Sequence, residues 1–268
     1  MRKTIMLNNT IKMKSSIIIC TYNEEKTIAD VVSSSCKLNP DCEIVVIDDG
    51  STDNTEKILT ELSGKYSFKY EKLEKNMGKS WAMAHGIEIS GNDIVLFFDS
   101  DVSNIKKEHF DILLKPLYDN IADMVLGQPS ETLIDYRINP FRALTGERAL
   151  FKKDVIPILD EIRDIRFGVE TFLNLYYQAK GKRIKYVLMK GLKHPSTYEK
   201  TGSVSIATKK YLSEGNEIAE TILNNHDLIN QRVELLISKT NLNAKKKIDS
   251  LQNDINIKLQ DIKVKLNI

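Results

Sequence analysis

The stretch Asp93-Ile94-Val95-Leu96-Phe97-Phe98-Asp99-Ser100-Asp101 decides the fold and points to a site. Its apolar run is typical of a buried β-strand, and two carboxylates follow directly after the run. Ligands of open α/β sheets bind just beyond the carboxyl ends of the strands. Alternate residues of an extended segment point the same way, so Asp99 and Asp101 can approach one object. Their oxygen ligands suit a divalent cation that holds phosphates, although aspartates are also common in loops.

Composition narrows the class of protein. The chain has 268 residues, of which 41% are hydrophobic, and its formal net charge is +2. This length fits one large domain or two small ones, and the charge argues against nucleic acid as a partner. The three cysteines form no C-x-x-C pair, which argues against a zinc site or a disulfide framework and fits a reducing cytoplasm. Since no signal-peptide core and no membrane-length apolar run is present, we expect a cytoplasmic protein, at most bound to a membrane surface.

Strands and helices alternate through the first half of the chain. Short apolar runs predict four strands, at residues 16–20, 43–47, 66–70 and 93–98. Helical patterns lie between them, and Asp53 with Glu56 three residues later predicts a capping box. A further helix is predicted over 78–89. This alternation predicts an α/β fold with a doubly wound, mostly parallel sheet.

The second half is less regular. Helices are predicted over 108–118, 154–164 and 168–180, strands over 123–127, 145–153 and 184–188, and a long loop over 128–140. After Ser203 the pattern is entirely helical, and it ends in an apolar stripe bordered by lysines, formed by Ile248, Leu251, Ile255, Leu259, Ile262 and Leu266. This stripe could pack on its own domain or on a second subunit, form a short coiled coil interrupted by Lys258 and Lys265, or lie on an anionic membrane.

Polar residues follow the other predicted strands of the first half. The segment Thr21-Tyr22-Asn23-Glu24-Glu25 could read a base or ribose, or Asn23 could simply cap a helix. In the segment 48–53, Asp48 or Asp49 could accept a base N–H, whereas Asp53 is interpreted as a helix cap. In Asn76-Met77-Gly78-Lys79-Ser80, the glycine allows a close backbone approach and the lysine offers a positive charge to a phosphate, unless it is merely solvated. Neither a Walker A loop nor a G-x-G-x-x-G motif is present.

In this order, these four strand-end motifs closely resemble those of the GT-A glycosyltransferases of family two. The resemblance spans roughly residues 15–200 and implies a Rossmann-like GT-A fold, a nucleoside diphosphate sugar donor, UDP favoured over GDP, and Mg²⁺ or Mn²⁺ as cofactor. It implies that Asp99 contacts the ribose and Asp101 the metal. The implied activity is that of a hexosyltransferase. The residues implied to bind the nucleotide sugar are Thr21, Tyr22, Asn23, Glu24, Asp48, Asp49, Gly78, Lys79, Asp99 and Ser100.

The second half resembles, more loosely, the glucosyl-3-phosphoglycerate synthase group. The similar segments are Thr145-Gly146-Glu147-Arg148-Ala149, Phe167-Gly168-Val169-Glu170 and Gly191-Leu192-Lys193-His194. The resemblance implies that His194 completes the metal site, which would favour Mn²⁺ over Mg²⁺. The implied acceptor-binding residues are Arg142, Thr145, Gly146, Glu147 and Glu170.

The acceptor is where this chain departs from that group. Its Gly-Arg-Val-Thr segment is missing, and Arg137 or Arg142 could bind an anionic acceptor or be solvated. The favoured acceptor is a small molecule that could be anionic, such as a phosphoglycerate-like molecule. The alternative is a polyprenyl phosphate at a membrane surface. A third hypothesis, from another class, is a non-catalytic oligomeric scaffold with a vestigial nucleotide site.

Glu170 is the candidate for the carboxylate that takes the acceptor's proton, and Glu147 is the second candidate. Glu170 could instead orient the acceptor, if the enzyme retains the configuration of the sugar, or make a structural hydrogen bond. Lys200 could assist the leaving group or be solvated. These predictions divide the chain into regions. A polar N-terminal lead-in covers residues 1–14, and a half that binds the nucleotide sugar donor covers 15–127. An acceptor-binding, metal-completing half of the same domain follows over 128–205, and C-terminal helices for oligomerisation or membrane contact occupy 206–268.

Overall fold

A seven-stranded sheet forms the centre of the protein. The computed structural model describes residues 13–129, 145–165, 168–195, 204–238 and 257. Its strand order is β3-β2-β1-β4-β6-β5-β7. Strand β6 runs antiparallel to β4 and β5, and the other neighbouring pairs are parallel, so the predicted doubly wound, mostly parallel sheet is confirmed. The strands are β1 (Ser15–Thr21), β2 (Glu43–Asp48), β3 (Lys69–Lys72), β4 (Ile94–Phe97), β5 (Met124–Pro129), β6 (Arg148–Phe151) and β7 (Ile184–Met189).

Helices cover both faces of this sheet. A short 3₁₀ turn at Ile156–Ile158, which contains Pro157, separates α5 from α6. In chain order the helices are α1 (Ile28–Leu38), α2 (Thr55–Ser63), α3 (Lys79–Ile89), α4 (Lys107–Tyr118), α5 (Lys152–Val155), α6 (Leu159–Asp164), α7 (Val169–Ala179), α8 (Val204–Asn224) and α9 (His226–Ser238).

The central strands are buried on both sides. Alternate residues of a strand face opposite sides of the sheet. Ile17 and Ile19 therefore join the core that includes Phe110 of α4, whereas Ile18 joins the core that includes Met83 of α3 and Phe172 of α7. This two-sided burial explains why the central strands are uninterrupted apolar runs. It leaves the strand ends as the places where polar side chains can gather.

Several local predictions differ from the structure. The helix predicted over 154–164 is interrupted by the 3₁₀ turn at Ile156–Ile158, and residues 128 and 129 of the predicted loop belong to β5. The third strand lies at 69–72 instead of 66–70, and the strand predicted over 145–153 is confined to 148–151. The capping box is wrong, because α2 begins at Thr55 with Asn54 as its N-cap. Asp53 instead uses its two carboxylate oxygens to accept the backbone N–H groups of Thr55 and Glu25, at 3.0 and 3.2 Å, which ties together the loops after β1 and β2. Glu56 pairs with Lys72 at 2.6 Å.

The C-terminal helices α8 and α9 pack on α7, next to the sheet. A side chain at Gly168, which precedes α7, would overlap the hydroxyl of Thr221 in α8. Arg232 of α9 donates to the backbone carbonyl of Gln178 at 3.4 Å. The apolar stripe of residues 248–266, Arg137, Arg142 and Lys200 lie outside the described residues. Within the described residues, no helix has both the length and the apolar character needed to span a membrane.

The turn after β2 depends on a glycine. Gly50 has a φ of +73°, and a Cβ there would lie 2.6 Å from the carbonyl carbon of Lys75. We therefore expect Gly50→Ala to lower the free energy of unfolding by about 2 to 3 kcal/mol in urea denaturation. Gly215→Ala is the matched control, because that helical glycine has open space around it and should gain about 0.5 to 1 kcal/mol. Equal stability of Gly50→Ala and the wild type would contradict this account.

Candidate functional site

A cavity of about 380 Å³ opens at the carboxyl ends of β1, β2 and β4. It brings together residues from all four strand-end motifs. Cys20, Asn76 and Ala82 also line it, although no role was predicted for them. The predicted site residues that line the cavity are Thr21, Tyr22, Glu24, Asp49, Gly78, Lys79, Asp99, Ser100 and Asp101.

Asn23 and Asp48 do not line this cavity, although both were predicted to bind the donor. The side-chain oxygen of Asn23 accepts the backbone N–H of Thr52 at 2.8 Å. Asp48 is fully buried and accepts the backbone N–H of Ser51 at 2.8 Å and the hydroxyl of Tyr70 at 3.3 Å. In this structure both residues brace the loops that carry the cavity-lining side chains.

Asp49 positions the segment that precedes α3. Its two carboxylate oxygens accept the backbone N–H groups of Met77 and Gly78, at 2.7 and 2.9 Å. Burial raises the pKa of this carboxyl, and the two amide donors only partly offset that effect. Gly78 has a φ of 99° and turns the chain directly into α3. Asp49 therefore places Lys79, the first residue of α3, at the cavity.

Lys79 joins two parts of the site. Its ammonium group lies 3.1 Å from a carboxylate oxygen of Asp99 and 3.0 Å from one of Glu170, at the start of α7. Partial desolvation opposes the charged form of Lys79, whose side chain is 42% exposed, but Asp99 and Glu170 outweigh this effect and raise its pKa. Burial likewise opposes the charge of Glu170, but Lys79 and Arg148 outweigh it and lower its pKa. The predicted donor residues and Glu170 thus form one ionised network.

The antiparallel strand β6 brings a second group of residues to the same edge. Arg148 is fully buried and donates to the backbone carbonyls of Thr145 and Glu170, at 2.7 and 3.3 Å. No role had been predicted for Arg148. An arginine at the start of an otherwise apolar strand, Arg148–Phe151, is a signal in the sequence that could have indicated a buried and paired charge. Gly146 lies against Asp99, because a Cβ there would overlap both carboxylate oxygens of that residue.

Asp99, Glu147 and His194 form a three-residue group, and one ligand atom from each lies within 4.8 Å of the others. Oε1 of Glu147 is 3.6 Å from Nε2 of His194. Burial and the nearby charge of Asp99 raise the pKa of Glu147 to about 8. Asp101 lines the cavity but is not in this group, so its predicted role as a metal ligand stays a prediction.

His194 reaches this group because the chain after β7 is held against the chain after β4. The backbones of Ser103 and Lys193 form an antiparallel bridge with hydrogen bonds of 3.0 and 3.1 Å. Asn104 also donates to the backbone carbonyl of Gly191 at 2.6 Å. These contacts follow the Asp99-Ser100-Asp101 segment directly and fix where the loop of His194 lies.

The group fits a divalent cation. Oε1 of Glu147 and Nε2 of His194 are both buried and lack a hydrogen-bond partner among the described residues. Unpaired buried polar atoms are costly, and a bound cation would satisfy both. Two carboxylates and an imidazole are a donor set that suits Mn²⁺ and related ions.

The sheet order and the strand-edge cavity together define a protein of the GT-A fold class. A sequence model of glycosyl transferase family 2 matches residues 16–153, about half of the chain. A protein of Methanocaldococcus jannaschii whose function is uncharacterized is 30% identical over an alignment of 233 positions that covers 76% of this chain and 97% of that protein. The chain belongs to glycosyl transferase family 2.

Two further comparisons concern a curated synthase and a solved structure. The poly-beta-1,6-N-acetyl-D-glucosamine synthase of Staphylococcus epidermidis is 39% identical over 87 residues, which are 32% of this chain and only 21% of that synthase. A crystal structure of glucosyl-3-phosphoglycerate synthase from Mycobacterium tuberculosis with Mn²⁺, UDP and phosphoglyceric acid has a TM-score of 0.63 at 21% identity. The match covers 80% of this chain and 78% of that one, and at this identity it shows the shared fold.

Proposed function

We propose that this protein is a metal-dependent glycosyltransferase that moves a sugar from a nucleoside diphosphate sugar to a small acceptor. The observation that carries the proposal is the cavity at the carboxyl ends of β1, β2 and β4, where Lys79 lies between the carboxylates of Asp99 and Glu170. A cation-binding group adjoins the same edge. The crevice beyond the carboxyl ends of the strands is where open α/β sheets bind their ligands.

The donor would lie in this cavity. Tyr22 is 43% exposed, so its ring is available to pack on a base. The ribose contact expected of Asp99 stays a prediction, because Asp99 lies in the group that fits a cation. Asp99 and His194 are proposed to hold the cation, with Asp101 beside them. A divalent cation supplies Lewis-acid neutralisation of the departing diphosphate. UDP is the favoured nucleotide, in keeping with the UDP bound by the M. tuberculosis synthase.

The acceptor is proposed to approach from the side of Thr145, Gly146 and α7. The lowered pKa of Glu170 keeps it an ionised carboxylate, which can accept a hydroxyl proton as the glycosidic bond forms. Glu147 is the second candidate for this role. Burial and the nearby charge of Asp99 raise its pKa to about 8, so Glu147 would act as a base only in its ionised form. A phosphoglycerate-like molecule is the favoured acceptor.

A screen for activity tests this function. The purified chain is incubated with UDP-glucose, UDP-N-acetylglucosamine or GDP-mannose, with Mn²⁺ or with EDTA, and with 3-phosphoglycerate or a polyprenyl phosphate. We expect the protein to release nucleoside diphosphate from a UDP-sugar. This release should require Mn²⁺, and its rate should rise when the correct acceptor is present. Absence of release and transfer with every donor and acceptor would count against the proposal and favour a scaffold with a vestigial site.

A further inference from the structure

We propose that Glu147 is itself a ligand of the cation, together with Asp99 and His194, and that the protein therefore binds Mn²⁺ before any nucleotide is present. The inference rests on the metal dependence proposed above and names three protein ligands for it. Each ligand comes from a different part of the sheet edge. Asp99 follows β4, Glu147 precedes β6, and His194 follows β7.

The burial of Glu147 is the first observation behind the inference. Its side chain has no exposed surface, and Oε2 accepts the hydroxyl of Thr145 at 2.9 Å. Oε1 has no hydrogen-bond partner among the described residues. A buried carboxylate oxygen without a partner is costly, so an interaction that the apo chain does not supply is expected at this atom.

The direction of Oε1 is the second observation. It faces Nε2 of His194 at 3.6 Å, which is too long for a hydrogen bond, and this nitrogen is also buried without a hydrogen-bond partner among the described residues. A metal ion with bonds of about 2.1 Å holds its ligand atoms about 3 to 4.2 Å apart. The 3.6 Å separation lies in that range, and the 4.8 Å limit of the whole group requires only a small closure around the ion.

The neighbouring charges agree with a cation at this point. Lys79 contacts Asp99 through one carboxylate oxygen, Oδ1, and the guanidinium of Arg148 donates to backbone carbonyls. Among the described residues, the ion pair of Glu147 is its contact with Nε2 of His194, at the long distance of 3.6 Å. A divalent ion at this point would bind Oε1 of Glu147 and the second carboxylate oxygen of Asp99, which these contacts of Lys79 and Arg148 leave accessible to it.

Titration of nucleotide-free protein with Mn²⁺ tests the inference, with free Mn²⁺ followed by electron paramagnetic resonance. We expect one Mn²⁺ per chain in the wild type and an affinity lower by about tenfold or more in Glu147→Gln. Glutamine can still accept the hydroxyl of Thr145, so this variant should keep the fold. Glu61→Gln, on the exposed surface of α2, is the matched control and should bind Mn²⁺ as the wild type does.

His194→Gln provides a second, independent variant, and it should weaken Mn²⁺ binding by a similar factor. Wild-type affinity in Glu147→Gln would overturn the inference, as would the absence of nucleotide-free Mn²⁺ binding in the wild type. In either case, UDP that still binds with Mn²⁺ would leave the proposed function standing. Mn²⁺ binding that depends on Glu147, in a chain that neither binds nor cleaves any nucleotide sugar, would instead contradict the proposed function alone.

Discussion

Asp99→Asn is expected to lower the rate of sugar transfer about a thousandfold, while the protein remains folded. Asp99 lies in the group proposed to bind a cation, pairs with Lys79 at 3.1 Å and lines the cavity. Asparagine is nearly the same size but removes the negative charge that both the cation and Lys79 require. The measurement is the rate of nucleoside diphosphate release from the donor identified by the screen, at saturating Mn²⁺.

Two further variants make this prediction sharper. Asp111→Asn changes an exposed aspartate on α4 that pairs with Lys107, and it should leave the rate unchanged. Gly146→Ala leaves Asp99 in the sequence but inserts a methyl group where its carboxylate lies, so it should also lower the rate. If Asp99→Asn keeps more than about a tenth of the wild-type rate, the charge of Asp99 is not essential and the account of the site fails.

Lys79→Met is expected to lower the rate by about a hundredfold to a thousandfold. Methionine keeps the apolar length of the lysine side chain but leaves Asp99 and Glu170 without the cation between them. An anionic diphosphate would then meet uncompensated carboxylates. Because Lys79 helps to lower the pKa of Glu170, the pH dependence of the remaining activity should also move toward higher pH.

The control for this substitution is Lys57→Met, on the exposed face of α2, which should leave both the rate and the pH profile unchanged. Lys79→Arg keeps the charge but changes its shape, so we expect an intermediate rate. Wild-type activity in Lys79→Met would show that the contacts of Lys79 with Asp99 and Glu170 serve only the fold.

The strand-end motifs were predictable because local chain properties determine where they lie. The apolar runs specify buried strands, and parallel strands place their carboxyl ends at one edge of the sheet. Asp49, Lys79 and Asp99 therefore line one cavity, although they lie far apart in the sequence. Gly78 adopts a φ of 99°, a conformation that favours glycine, and the close approach of a ligand to its backbone stays a prediction.

The group around β6 was not predictable in the same way. Strand β6 is inserted antiparallel between β4 and β5, and no local pattern reports which neighbours a strand will have. This insertion brings Glu147 next to Asp99. It also brings the guanidinium of Arg148 within hydrogen-bond distance of the backbone carbonyl of Glu170. The direction of Asp48 was also not predictable, because alternation along a strand does not say which polar residue turns inward to hold a loop.

The most direct test of the central claim is isothermal titration of the protein with UDP in the presence of Mn²⁺, repeated with Asp99→Asn. The account predicts that UDP binds the wild type with Mn²⁺, that EDTA greatly weakens this binding, and that Asp99→Asn weakens it by tenfold or more. UDP binding that is equally tight in Asp99→Asn would contradict the account, and so would the absence of binding by both UDP and GDP to the Mn²⁺-loaded wild type.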